Sequence, residues 1–161
     1  MPTQSRVALF TVACGLKLLL LLSYRSTDFE VHRGWMAITS SLPLSQWYVD
    51  ETSEWTLDYP PLFAWFEKLL ALGAPLFDAE MLRVSATPYD SAGTNLYMRL
   101  TVIFTDALLL VGSSRLAYHC CARADRRFAA VALTFLNAGL LLVDHVHFQY
   151  NGMLIGLLLL S

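Results

Sequence analysis

Charge is scarce in this chain. Only 15% of its 161 residues are charged, against about a quarter in soluble domains. The formal net charge is −2, so the basic stripe that nucleic acid requires is missing and no nucleic-acid partner is expected. Cysteine is rare: Cys14, Cys120 and Cys121 lie in or beside apolar stretches, without metal-ligand spacing or a disulfide framework. They read as small buried hydrophobes. No N-x-[ST] sequon and no internal repeat occurs. Oil is abundant instead: 56% of the residues are hydrophobic and the mean hydropathy is +0.49. A membrane is the first place to put it.

Val7 to Tyr24 reads VALFTVACGLKLLLLLSY. At 1.5 Å per residue such a helix reaches roughly 27 Å, about the thickness of a hydrocarbon core. A cleaved signal peptide is the other reading. The apolar run is long for one, and no small-x-small cleavage site follows, which favours an uncleaved span. Lys17 inside it is costly at mid-bilayer and must face protein or snorkel. Further apolar stretches run over 100–121, with Asp106 and Arg115 inside, and over 128–143. A fourth starts at Gly152 and reaches Ser161, too short to cross; it reads as an incomplete span and the chain as a C-terminally truncated form.

Lys and Arg near helix ends set orientation. Arg123, Arg126 and Arg127 place the 122–127 loop in the cytosol. The 25–99 segment then faces the opposite side, with ten of the thirteen acidic residues, and His145 to Asn151 emerges on that side too. Four tryptophans make the long segment unlike a solvated linker. Thr27-Asp28-Phe29-Glu30 fits a capping box with Thr27 as N-cap, opening a helix over 28–42 with an apolar stripe of Val31, Trp35, Ile38 and Leu42. A second helix is expected over 60–72, with Asp58 as cap and Leu62, Phe66, Leu69 and Leu70 as its oily face. Both are expected to lie on the membrane surface; a small folded core is the alternative. Residues 85–95 read as turn-rich and mobile.

Three polar clusters carry the chemistry. In STDFEVHR, Asp28 falls in a first helical turn, where backbone N–H groups and the helix dipole favour the ion. It can serve as a proton acceptor or merely as a capping acid. Glu30 reads as the capping partner; His32 and Arg33 suit a phosphate or plain solvation. In LDYPPLFAWFE, Asp58 stands before a stiff double proline. In VDHVHFQYNG, Asp144, His145, His147, Gln149 and Asn151 crowd between two apolar spans. Two histidines two apart, without further ligands, fit a metal poorly and a sugar or phosphate better. A transporter with Lys17, Asp106 and Arg115 in its spans, and a non-catalytic scaffold, are the competing classes.

These stretches, with SLPLSQWY and TSEWTLDYPPLFAWFE, resemble the endoplasmic-reticulum glucosyltransferases of asparagine-linked glycosylation. The likeness runs from about residue 7 to the end. It implies an all-α, polytopic membrane protein, here the N-terminal part of a GT-C fold with a large luminal loop. It implies a multi-pass endoplasmic-reticulum location and glucose taken from dolichyl phosphate glucose for a dolichyl-diphosphate oligosaccharide. An α link made from a β-linked donor inverts the anomeric centre in one displacement. The implied base is Asp28. Asp58, His145, His147, Gln149, Arg33 and Glu30 are implied substrate-binding residues. No metal and no cofactor is implied; the partners are the two lipid-linked substrates and membrane lipid. The motifs favour the branch adding the second glucose, with the branch adding the first as alternative, because the latter tends to carry alanine-glutamine where Val31 and His32 stand. Later family loops are absent, so the 161-residue chain alone is expected to be inactive.

Overall fold

The computed structural model describes residues 3–161, and among them there is no strand. The helices are α1 (Thr3–Leu19), α2 (Thr27–Ser41), α3 (Pro61–Ala71), α4 (Ala92–Cys120), α5 (Ala124–Phe135), α6 (Ala138–Leu140) and α7 (Asn151–Leu160). Single 3-10 turns lie at Leu44–Gln46, Ala74–Leu76 and Ala79–Leu82. After α6 the chain winds as a π-helix over Leu141–Phe148. The residues divide into a loop unit, Arg25–Met98, and a span unit made of those up to Tyr24 with Arg99–Ser161.

In the loop unit α2 is a core helix, not a surface one. Phe29 and every residue from His32 to Thr39 are buried. Its start also differs from the expected capping box: Ser26 is the N-cap residue, and Glu30 turns to Arg33, with Nε 2.8 and 2.9 Å from its carboxylate oxygens. An ion pair one turn along outcompetes a bond back to a backbone amide. Nor does Asp58 cap α3, whose N-cap is Pro60.

α3 turns Ala64, Glu67 and Ala71 inward and leaves Leu62, Trp65, Leu69 and Leu72 exposed. The expected oily face is therefore partly the outer one. Alanines on the inner face let α3 approach α2 closely, and the space between is filled by Trp35, Ile38, Trp47 and Leu57. The indole N–H of Trp35 donates to the Thr56 carbonyl (3.0 Å) and that of Trp47 to the Leu42 carbonyl (3.1 Å). Buried tryptophans need such partners.

Residues 85–95 are held in place. Arg25 donates to Asp90 (Nη2–Oδ2 2.6 Å) and Asn95 (2.9 Å), while Tyr89, Ser91 and Thr94 donate their hydroxyls to Asp78. Each of these turn residues finds a charged partner, which replaces the expected mobility with order.

Two helical runs are long and apolar enough to cross a membrane: Ala92–Cys120, which belongs to the span unit from Arg99 on, and Ala124–Phe148. The first starts eight residues before the expected 100. The second is continuous in composition but interrupted at Leu136 and Asn137, where the Asn137 side chain accepts the Leu140 N–H (3.1 Å) and starts a new turn. α5 already begins at Ala124, so most of the expected 122–127 loop is helix.

α1 stops at Leu19, short of the expected Tyr24. Its last carbonyls are taken by i+3 bonds such as Leu20 N–H to Lys17 (3.1 Å), and the Lys17 carbonyl also accepts a side-chain bond. Leu9, Ala13, Leu109, Leu110, Ala117, Val131 and Phe135 form the core of this unit.

α4 and α7 meet through glycines. A Cβ on Gly156 would stand 2.5 Å from the Leu109 nitrogen, and one on Gly112 would stand 2.5 Å from the Gly156 carbonyl oxygen. With Gly152 this is a small-xxx-small interface, the usual route to close helix approach in lipid. Gly156→Ala is expected to force α7 off α4 and to cost about 1–3 kcal/mol. Gly15→Ala, in open space, should cost nothing. Thermal unfolding in detergent measures both.

Candidate functional site

Asp28 stands in the first turn of α2, half-buried, with Ser26 as N-cap. The position is the one where backbone N–H groups point toward an anion. Its motif neighbours are engaged elsewhere. Glu30 and the fully buried Arg33 form an ion pair, and Arg33 also donates to the carbonyls of Met81 (2.6 Å) and Arg83 (3.3 Å). The Tyr89 N–H donates to Glu30 (3.3 Å). This pair stitches α2 to the 80–90 segment. It gives Glu30 and Arg33 a structural occupation.

His32, one turn after Asp28, is buried with its Nδ1 2.6 Å from Glu67 Oε1. Glu67 is wholly buried, and its Oε2 has no hydrogen-bond partner among the described residues. Burial pushes the Glu67 carboxyl above the usual carboxylate range, and the His32 hydrogen bond only partly opposes this. The rings of Trp35, Tyr59 and Phe63 surround His32 at centroid distances of 5.1, 6.4 and 5.6 Å.

Asp58 is exposed on the lead-in to α3, between the buried Leu57 and the exposed Tyr59. The Tyr59 ring meets that of Trp35 at 4.7 Å with a 50° tilt, and its carbonyl accepts the Tyr48 hydroxyl (2.9 Å). The loop that carries Asp58 is thus pinned on one side by Leu57 and on the other by Tyr59. The two acids singled out from the sequence sit on one unit, each at the head of one of two helices that pack together.

In the span unit, Asp144 to Gly152 forms a tight turn. Asp144 is buried, and its carboxylate accepts the N–H of Asn151 (3.0 Å), the Asn151 side-chain amide (2.9 Å) and the N–H of Gly152 (2.5 Å). It caps α7 from the preceding element. His145 is fully buried and donates Nε2–H to the Lys17 carbonyl (2.7 Å). Tyr150 shares a 2.7 Å bond with the Thr101 hydroxyl. His147 is exposed and Gln149 half-buried. Of the expected contact residues here, His147 faces outward, Gln149 accepts the Asn151 side-chain amide (2.8 Å), and His145 faces into the bundle. Among the described residues no three His, Cys, Asp or Glu side chains are grouped as a metal site would need.

Sequence reasoning missed Glu67 as the partner of His32, and it missed the Lys17–Asp106 ion pair. The signals were present: an acid in register with Ala64 and Ala71 on one helix face, and single opposite charges in two apolar spans.

A folded-state pKa raised above the unfolded value means that the folded state binds the extra proton. The Glu67 contribution to stability is then complete below about pH 4.3, the ordinary glutamate value, and is lost as pH rises through the raised folded value. Glu67→Gln keeps a group that can bond His32 and removes the titration. Its stability relative to the parent should rise with pH, as read from thermal melts between acid and neutral pH. Glu67→Ala, which deletes the bond, should destabilise by about 1–3 kcal/mol.

The sequence matches the ALG6, ALG8 glycosyltransferase family over residues 13–161. A Drosophila melanogaster protein named probable dolichyl pyrophosphate Glc1Man9GlcNAc2 alpha-1,3-glucosyltransferase is 56% identical over 152 residues, covering 93% of this chain and 30% of the relative. Proteins carrying that name without "probable" are 54% identical in Bos taurus (91% of this chain, 29% of the relative) and 51% identical in Arabidopsis thaliana (94% and 30%). The chain spans about three tenths of the length of these curated relatives. With an all-helical architecture and two spans' worth of apolar helix, it belongs to the ALG6, ALG8 glycosyltransferase family of membrane glycosyltransferases.

Proposed function

We propose that this chain carries the acceptor-activating end of an α-1,3-glucosyltransferase. The enzyme moves glucose from dolichyl phosphate glucose to the monoglucosylated dolichyl-diphosphate oligosaccharide, Glc1Man9GlcNAc2, in the endoplasmic-reticulum membrane. Residues 25–99 lie in the lumen in this reading. The observation that carries it is the placement of Asp28: a half-buried carboxylate in the first turn of a core helix, beside an acid and a base already spent on each other. The printed names of the relatives support the acceptor. They give no support to the paralogue acceptor, Man9GlcNAc2.

The donor is a β-linked glucosyl phosphate and the product link is α. One displacement achieves this. The acceptor 3-hydroxyl attacks the anomeric carbon, the C1–O bond to phosphate breaks with its electron pair, and the hydroxyl proton goes to Asp28. The leaving group already carries its negative charge as a phosphate, so the reading asks for no metal and no cofactor. Asp58 is proposed to bind acceptor hydroxyls, and His147 and Gln149 the donor. Membrane lipid is the proposed partner of the outer α3 stripe of Leu62, Trp65, Leu69 and Leu72.

Asp28→Asn, made at the matching position of a complete family member, keeps size and helix-end polarity but removes the base. Glucose transfer should fall by about 10²–10⁴-fold, and the monoglucosylated lipid-linked oligosaccharide should build up in cells. Undiminished transfer would overturn the assignment and leave a scaffold. A chelator should leave the parent rate unchanged.

A further inference from the structure

The Asp144–Gly152 turn is gripped from several directions, all within the span unit. From α1, the Lys17 carbonyl holds His145. From α4, Arg99 donates to the Val146 carbonyl (3.2 Å) and to the Tyr24 carbonyl (3.0 Å), and Thr101 bonds Tyr150. Asp106 pairs with the Lys17 ammonium, and both side chains are nine-tenths buried or more. Asp106 Oδ1 and Asp144 Oδ2 each lie 3.1 Å from where a Gly152 Cβ would be, so these two carboxylates flank the same glycine.

Five ionisable groups therefore converge in an apolar bundle: Lys17, Arg99, Asp106, Asp144 and His145. Charges inside a membrane segment are costly, and apolar residues would glue the helices as well. What charge adds here is direction. Lys17 pairs with Asp106, and Asp144 stands nearby as the side-chain cap of α7. A cavity of about 30 Å3, room for one water, lies beside the pair and is lined also by Asn137 and Leu141.

The backbone within the grip is strained. Phe148 has φ 83°, in the left-handed region, though it is not glycine, and its ring is fully buried. Such a residue persists only where the surroundings over-determine it. It is the last residue of an eight-residue π-helix, a form common at functional sites. The outcome is a fixed turn that carries the exposed His147 and the half-buried Gln149.

We propose that Lys17 and Asp106 are positioning residues of the transferase. Their pair fixes the Asp144–Gly152 turn so that His147 and Gln149 meet the donor's glucosyl phosphate, and His145 acts through the Lys17 backbone and not on substrate. This rests on the transferase reading above.

The test uses a complete family member, with matched substitutions and measured transfer from dolichyl phosphate glucose. Lys17→Met should lower kcat about 10-fold or more, while Lys17→Arg, which keeps the charge, should stay within about twofold. The double variant Lys17→Met with Asp106→Asn leaves no unpaired buried charge at this pair. It should recover the parent melting temperature yet keep the low kcat. His147→Ala should raise the donor KM at unchanged melting temperature. Full kcat in the double variant would overturn the proposal, because the pair would then be helix glue. So would loss of folded protein in every variant but Lys17→Arg, or a His147→Ala protein with the parent donor KM. A parent protein that transfers no glucose would sink the transferase reading itself, a result separable from the others.

Discussion

Glu67 has no exposure to solvent and meets His32 at 2.6 Å, and the loop unit is arranged around that contact. A carboxyl in that position is tolerable only with a partner supplied in a fixed direction. His32 supplies it from the middle of α2, which sets the rotation of α2 about its own axis. With His32 turned inward, Arg33 falls against the 81–83 carbonyls and Trp35 against Thr56. Phe29 goes into the core and Asp28 falls at its margin. The placement of the proposed base thus follows from a buried hydrogen bond one helical turn away. A helix lying freely on a membrane surface would have no such constraint on its roll, and its polar residues would simply follow the water.

The span unit solves a related problem in a drier place. Its apolar surface can be buried in many ways, since lipid and leucine are alike to a helix. Uniqueness comes from small residues and polar contacts. Gly112 and Gly156 bring α4 and α7 to backbone distance, and Asp144 closes the N-terminus of α7 with three bonds. The helix break at Leu136 and Asn137 and the π-helix after it belong to the same solution. A regular α-helix through 148 would rotate Asp144 and His145 relative to their partners. The wider winding lets both side chains point inward while His147 points out.

Much of this was legible in the sequence, and the gaps have physical causes. The apolar stretches showed the helical class because length and hydropathy are local properties. The family motifs were readable because they are long and contiguous. The first turn of α2 was placed within a residue, yet its capping was misjudged: Thr27-x-x-Glu30 has the capping-box spacing, but Arg33 three residues on offers Glu30 a full charge in place of an amide. The oily face of α3 was legible, with Leu62 and Leu69 exposed, but its inner face was not read. The inner face is Ala64, Glu67 and Ala71, chosen for closeness and for His32, while the larger leucines stay outside. Pairings such as Lys17 with Asp106, 89 positions apart, carry no local signature at all.

The same geometry separates the acids of the chain by what they are bound to. A base must be reachable by the hydroxyl it serves. Glu67 is unreachable and held by His32. Glu30 is committed to Arg33. Asp78 receives three hydroxyls and a backbone N–H, and these bonds, that of Ser91 first, hold its carboxyl below the usual range and make it a poorer acceptor. Asp90 is lowered in the same way by Arg25. Asp106 and Asp144 are buried in the span unit on Lys17 and on the end of α7. Asp58 is reachable but sits on a surface loop ahead of two prolines, where water sets its environment. Asp28, the base proposed above, differs from Asp58 in standing half-buried in the first turn of a core helix.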